Sequence, residues 1–188
     1  MTVRLSAGRR GAPVLLALGA LVVGAMTGCT GQPGAAAVVE GDQISIAELQ
    51  AATSDLSPYL QNVTQASVLM VLVVAPTFDR AAVEEGVGVS TQQAVDLLDE
   101  AAQAAAAAGT APARTTPFSD AAVEVARFTL IQTNLRELPD GADVSARITD
   151  QLAALDADVN PRYGQADFAS GSIAPTSYPW LVTPPAAG

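Results

Sequence analysis

Ala37-Val38-Val39-Glu40-Gly41-Asp42-Gln43-Ile44-Ser45-Ile46-Ala47-Glu48-Leu49 decides how the chain is read. Ala37-Val38-Val39 is β-prone, and Glu40-Gly41-Asp42 is a turn signal. Ser45-Ile46-Ala47-Glu48 then matches a capping box. The serine hydroxyl can accept the free N–H near Glu48, and the glutamate can reach back to the backbone of Ser45. Strand, turn and helix start therefore follow one another with almost no linker.

Upstream, Thr30 to Ala36 is Gly, Pro and Ala without periodicity, so residues 29–36 read as a flexible tether. Before it stands Leu21-Val22-Val23-Gly24-Ala25-Met26-Thr27-Gly28-Cys29, which holds the only cysteine. Arg4, Arg9 and Arg10 form a basic start, and Val14 to Met26 forms an apolar run. That run is shorter than the roughly 20 residues needed to span a bilayer. Residues 1–28 therefore read as a signal peptide. Met26-Thr27-Gly28-Cys29 resembles a bacterial lipobox, with Met26 where Leu is usual. The resemblance implies cleavage between Gly28 and Cys29 and a diacylglyceryl group on the Cys29 sulfur. The alternative is an ordinary signal peptide followed by a chance cysteine. A secreted lone thiol without a lipid would be reactive, and acylation at two or more positions gives stable anchoring where a single chain does not.

Alanine dominates the composition and favours helices. Three of the nine arginines precede Cys29, and there is no lysine; six basic residues then face all 19 acidic ones, a net charge of −13 after cleavage. Such a balance disfavours nucleic acid, which needs a positive footprint. An anionic membrane surface would repel it as well, leaving the lipid on Cys29 to hold the protein there.

Downstream of Leu49, Ser57-Pro58 reads as an N-cap followed by proline at the first helical position. Ala66 to Ala75 is almost wholly apolar, and its periodicity fits a buried strand as well as a core helix. Pro76 is expected to kink or end it. A short acidic helix is expected from Phe78 to Glu85, stopped at Gly86. Ser90 opens another helix with Leu97, Leu98 and Ala101 on one face, and Thr110 to Pro117 is a loop. Ser119 is expected to cap a helix in which Ala121, Val125, Phe128, Ile131, Leu135 and Leu138 recur at steps of three and four. Pro139-Asp140-Gly141 ends it, and Val144, Ile148, Leu152 and Leu155 mark a last amphipathic helix. Asp158-Val159-Asn160 reads as a strand that pairs with Val38-Val39. Residues 169–188 are proline-rich without a period and are expected to be a disordered tail.

Ala37 to Leu49 resembles the opening of the N-terminal domain of SurA-type periplasmic chaperones, with Glu40 where that family carries Asn. Val159-Asn160-Pro161-Arg162-Tyr163-Gly164 is similar to the closing strand of actinobacterial lipoproteins built on the same domain. The resemblance spans Ala37 to Asp167. It implies a mainly α fold over residues 37–168, with a small strand pair joining its two ends and a helix at Ala66 to Ala75. It also implies an apolar groove for extended or helical peptide. The family is often joined to parvulin-type prolyl isomerase domains. The stretch after Asp167 is too short for one, so isomerase activity is not carried over.

Chemistry is otherwise sparse. Without histidine there is no Ser-His-Asp arrangement and no histidine-ligated metal. Neither a phosphate loop nor a Gly-x-Gly-x-x-Gly motif occurs. Asp96, Asp99 and Glu100 read as a solvated helix face. Asp156, Asp158, Asn160 and Asp167 have calcium-loop spacing, but Pro161 stands where the turn needs glycine, and the strand reading is preferred. The expectation is a lipid-anchored lipoprotein on the outer face of the cell membrane, without catalytic residues, cofactor or metal, and with unfolded or exported polypeptides as partners. The alternative is an adaptor lipoprotein that docks one envelope partner.

Overall fold

A computed structural model describes residues 33–168 and 170–174. The expected signal peptide, Gly28, Cys29 and the segment from 175 onward lie outside the described residues. The order is β1 (Ala35–Val39), β2 (Asp42–Ser45), α1 (Ile46–Leu56), α2 (Gln65–Glu84), α3 (Thr91–Ala107), α4 (Asp120–Arg136), α5 (Gly141–Ala153), β3 (Ala157–Val159), β4 (Gln165–Asp167) and β5 (Ser172–Ala174). The domain is mainly helical, with two small antiparallel sheets.

The strand pair expected at the two ends is present inside a three-stranded sheet ordered β2-β1-β3. Ala37 lies opposite Val159, Val38 opposite Asp158, and Val39 opposite Ala157. Asn160 fastens this closure: its N–H donates to the Ala36 carbonyl at 2.9 Å and its side-chain amide to the Ala35 carbonyl at 3.0 Å. Two expectations need correction here. Asp42–Ser45 is a strand rather than only a turn, because its backbone pairs with β1. The tether is also shorter than residues 29–36, since Ala35 and Ala36 are buried in β1 at 5% and 0% exposure.

Val39 lies opposite Asp42, so Glu40-Gly41 is a two-residue hairpin turn, with φ of +51° at Glu40 and +95° at Gly41. Both central residues of such a turn need positive φ, which Asn tolerates far better than Glu. Glu40→Asn is therefore expected to stabilise the domain by about 0.5–1 kcal/mol, read as a higher denaturant midpoint. The Glu40–Arg80 ion pair that it removes is half exposed and worth little.

The capping box of α1 forms as expected: the Glu48 N–H donates to the Ser45 hydroxyl at 3.1 Å, and the Ser45 N–H to the Glu48 carboxylate at 2.8 Å. These bonds hold the Glu48 carboxyl below the usual carboxylate range. Ser57-Pro58 does not start a helix. Ser57 instead ends α1, its N–H donating to the Thr53 carbonyl. Leu56 is the last buried apolar residue before Val68, so no face exists for a helix between them. The next start is Thr64, which exchanges bonds with Ser67 in a second capping box.

The apolar run and the short acidic helix merge into α2, with Pro76 inside it. Proline lacks the N–H for the Leu72 carbonyl and costs about 3 kcal/mol in a helix interior. Burial on both sides of it outweighs that cost: Val68, Leu69, Leu72 and Val73 before it, Thr77, Ala81 and Ala82 after it. Merged, α2 is long and apolar enough to cross a membrane by length and composition, although just over half of that stretch is buried inside the fold. It serves as the core helix, packed chiefly on α4 and also on α1 and α5. Gly86 ends it at φ +73°, as expected.

In α3 the buried face is Ala94, Leu98 and Ala102, one residue round from the expected Leu97, Leu98 and Ala101. In α4, Phe128, Ile131 and Leu135 are buried as expected, but Ala122, Val123 and Ala126 point inward while Ala121 and Val125 are half-buried. Its small residues let α1, α2 and α3 all approach it. Val144, Ile148 and Leu152 form the buried stripe of α5. The last correction concerns the tail: Ser172–Ala174 is strand β5, antiparallel to β4, with Ala166 opposite Ile173.

Candidate functional site

A groove of about 600 Å³ lies between α2, α4, α5 and the β4–β5 hairpin. One face of α2 supplies Met70, Val71, Val74 and Phe78. Phe128 and Leu152 extend the floor from α4 and α5, while Phe168 and Ile173 form the opposite wall. The Phe78 and Phe128 rings meet edge to face, with centroids 4.8 Å apart. Thr64, Ser67, Gln132, Ser170 and Ser172 give polar but uncharged edges. Among the described residues no charged side chain lines the groove, although the whole chain carries a net charge of −10.

The apolar run that was ambiguous in sequence thus serves two surfaces. Leu69 and Val73 are fully buried in the core, while Val71 is half-buried at the groove. Met70 also lines the groove but is itself buried, at 6% exposure; its unbranched and polarisable side chain can adapt to irregular partners. Sequence reasoning missed Ile173 because it ended the ordered domain at 168, and missed Phe168, the last residue of that domain, because no periodic pattern surrounds it. The signal available was Ile173, an isolated aliphatic residue spaced from Gln165-Ala166-Asp167 as a short hairpin would require.

Charge is organised away from the groove. Arg127 of α4 pairs with Asp79 of α2 and, at 3.3 Å, with Glu124. Burial pushes the Glu124 carboxyl up, and Arg127 only partly offsets this. Arg147 pairs with Glu85. Arg114 pairs with Asp55 at 2.8 Å, donates to the Thr116 and Pro117 carbonyls, and lies over the Phe118 ring, 3.7 Å from its centroid. The Asp55 carboxylate also accepts the Ser119 N–H at 2.8 Å. Ser119 is the N-cap of α4, but its hydroxyl makes no capping bond to the first turn; Asp55 of α1 instead holds the N-cap residue's own N–H.

The Asp55–Arg114 cluster carries a pH prediction. Burial raises the Asp55 carboxyl, but hydrogen bonds from Arg114 and the Ser119 backbone outweigh it and leave it below its ordinary value. A depressed carboxyl contributes stability above its unfolded pKa, about 3.9, and loses it as pH falls through the folded value. Melting temperature is expected to fall below about pH 4, with Glu48 acting in the same direction and Glu124 in the opposite one. Asp55→Asn is expected to cost about 1–2 kcal/mol at pH 7 and to flatten that acid slope. An unchanged slope would remove Asp55 as its source.

The other residues singled out in sequence do not converge. Asp96, Asp99 and Glu100 lie exposed on α3, with Gln92 donating to Asp96. Asp158 stands in β3 and the Asn160 side chain is turned to the β1 backbone, so the calcium-like spacing forms strand and turn. Among the described residues no group of three His, Cys, Asp or Glu side chains is placed to hold a metal. Compared with known proteins, the chain matches no family model, no curated protein and no solved structure.

Proposed function

We propose that the protein is a lipid-anchored lipoprotein that binds extended or unfolded polypeptide in the α2–α4–α5 groove and shields exported chains without isomerising them. The observation that carries this reading is the groove itself: apolar floor, uncharged polar edges, and a volume in the range that small ligands and side-chain anchors occupy. A flexible methionine and two facing phenylalanines suit varied apolar side chains. The resemblance of Ala37 to Leu49 to the SurA-type opening adds to it, and the lipobox ending at Cys29 supplies the address.

The test uses the mature chain from Cys29 and an unrelated aggregating protein. Light scattering is expected to fall in its presence, and the groove variant Val71→Asp to lose the effect while keeping its helical circular dichroism. A proline-limited refolding reaction is expected to keep its rate. Unchanged aggregation at a molar excess would replace the reading with that of an adaptor for one envelope partner. For the anchor, Cys29→Ala is expected to release the protein from membranes or leave its precursor uncut; an unmodified Cys29 mass in membrane-bound protein would overturn lipidation.

A further inference from the structure

We propose that the groove has an occupant from the same chain: the apolar segment Tyr178-Pro179-Trp180-Leu181-Val182, which an incoming polypeptide must displace. The inference rests on the peptide-binding reading of the groove and adds its regulation. The first observation is where the described chain stops. Strand β5 ends at Ala174, and Ser172 and Ile173 themselves line the groove. Whatever follows residue 174 starts at the groove's edge. Trp180 stands six positions beyond Ala174, and an extended chain covers about 3.3 Å per residue, so Trp180 can reach any point within about 20 Å.

The second observation is chemical match. No side chain from Phe168 to Gly188 is charged, in a chain with 19 acidic and nine basic residues. Among the described residues the groove is likewise lined without charge. Tyr178, Trp180, Leu181 and Val182 cluster within five positions and include the protein's single tryptophan. Pro175 and Pro179 favour an extended backbone in advance, which lowers the ordering cost of lying in a groove.

The third argument is tethering. A segment attached this close to its site acts at an effective concentration of about 1 mM. If its intrinsic dissociation constant is about 0.1 mM, the groove is about nine-tenths occupied and the apparent affinity for an incoming chain falls about tenfold. The protein then keeps its apolar surface covered until a better-fitting or multivalent client arrives.

Trp180 is its own reporter. In the full mature chain its emission is expected to lie to the blue of that in denaturant and to resist acrylamide. Val71→Asp is expected to move it back toward the denatured position while the helical signal persists. Full-length Trp180→Ala is expected to bind a permanently unfolded model polypeptide about tenfold more tightly than the parent. Emission and quenching equal in folded and denatured protein would overturn the proposal, as would unchanged affinity in Trp180→Ala. The two readings separate cleanly. A solvent-exposed Trp180 in a protein that still suppresses aggregation removes the intramolecular occupant and leaves the groove's function. A Trp180 that is buried and released by Val71→Asp, in a protein that suppresses aggregation in no form, keeps the occupant and removes the chaperone activity.

Discussion

Gly164→Ala is expected to open the β4–β5 hairpin and with it one wall of the groove. Gly164 has φ +122°, and a Cβ there would stand 2.2 Å from the Ala174 carbonyl oxygen and 2.9 Å from Cγ2 of Ile173. Two costs add. A side chain in that region of backbone space is strained by about 1–3 kcal/mol. The contact with Ala174 is to backbone, so no rotamer relieves it. What gives way is the weaker partner, a strand of three residues that among the described residues pairs only with β4. The amide protons of Gln165–Asp167 and Ser172–Ala174 are expected to lose exchange protection, while those of α2 and α4 keep it. Overall stability is expected to drop by about 1–3 kcal/mol. Because Phe168 and Ile173 leave the wall, polypeptide binding should fall too. Retained protection in β5 would mean that the turn before β4 can rearrange around the new methyl group.

Pro76→Ala is expected to act in the opposite direction, raising stability by about 2 kcal/mol. Proline in a helix interior costs about 3 kcal/mol relative to alanine, and part of that gain is returned because alanine loosens the unfolded chain by about 0.4–1 kcal/mol. The ring of Pro76 is exposed, so removing it forfeits no core packing. Alanine would give the Leu72 carbonyl its helical partner. Equilibrium denaturation should show a higher midpoint at unchanged slope. A lower midpoint would mean that the bend at Pro76 is needed to lay both halves of α2 against α4. Comparing polypeptide binding by the same variant then separates helix stability from groove shape, since Val74 and Phe78 flank the proline on the groove side.

Much of this architecture is legible in residues that act locally. The Ser45–Glu48 capping box needs only four consecutive residues, and it forms. Gly86 stops α2, Ser90 starts α3, and the stripe Val144, Ile148, Leu152 is buried at its expected spacing. Even the long-range pairing of Val38-Val39 with Val159 follows from two short β-prone runs that flank helices. Misreadings cluster where local signals compete with burial. Ser57-Pro58 carries the grammar of a helix start but has no apolar face to follow it. Pro76 carries the grammar of a helix stop but lies between two stretches that α4 buries. Ser119 is the N-cap of α4 as expected, but its hydroxyl makes no capping bond, and its N–H is held by Asp55 from another element.

The sequence by itself determined the helical class, most helix boundaries, the closure of the two ends and the absence of histidine chemistry. These depend on capping, spacing and composition, which are properties of neighbouring residues. Only the tertiary structure decided which side of α2 faces the core and which faces the groove. The almost wholly apolar run Ala66 to Ala75 has no periodicity to mark two different surfaces, and only α4, α5 and the hairpin assign them. It also decided that Phe168 and Ile173 belong to the site. A three-residue strand is too short to announce itself, and it is held by a close approach at Gly164 that exists only once the chain has folded back on itself.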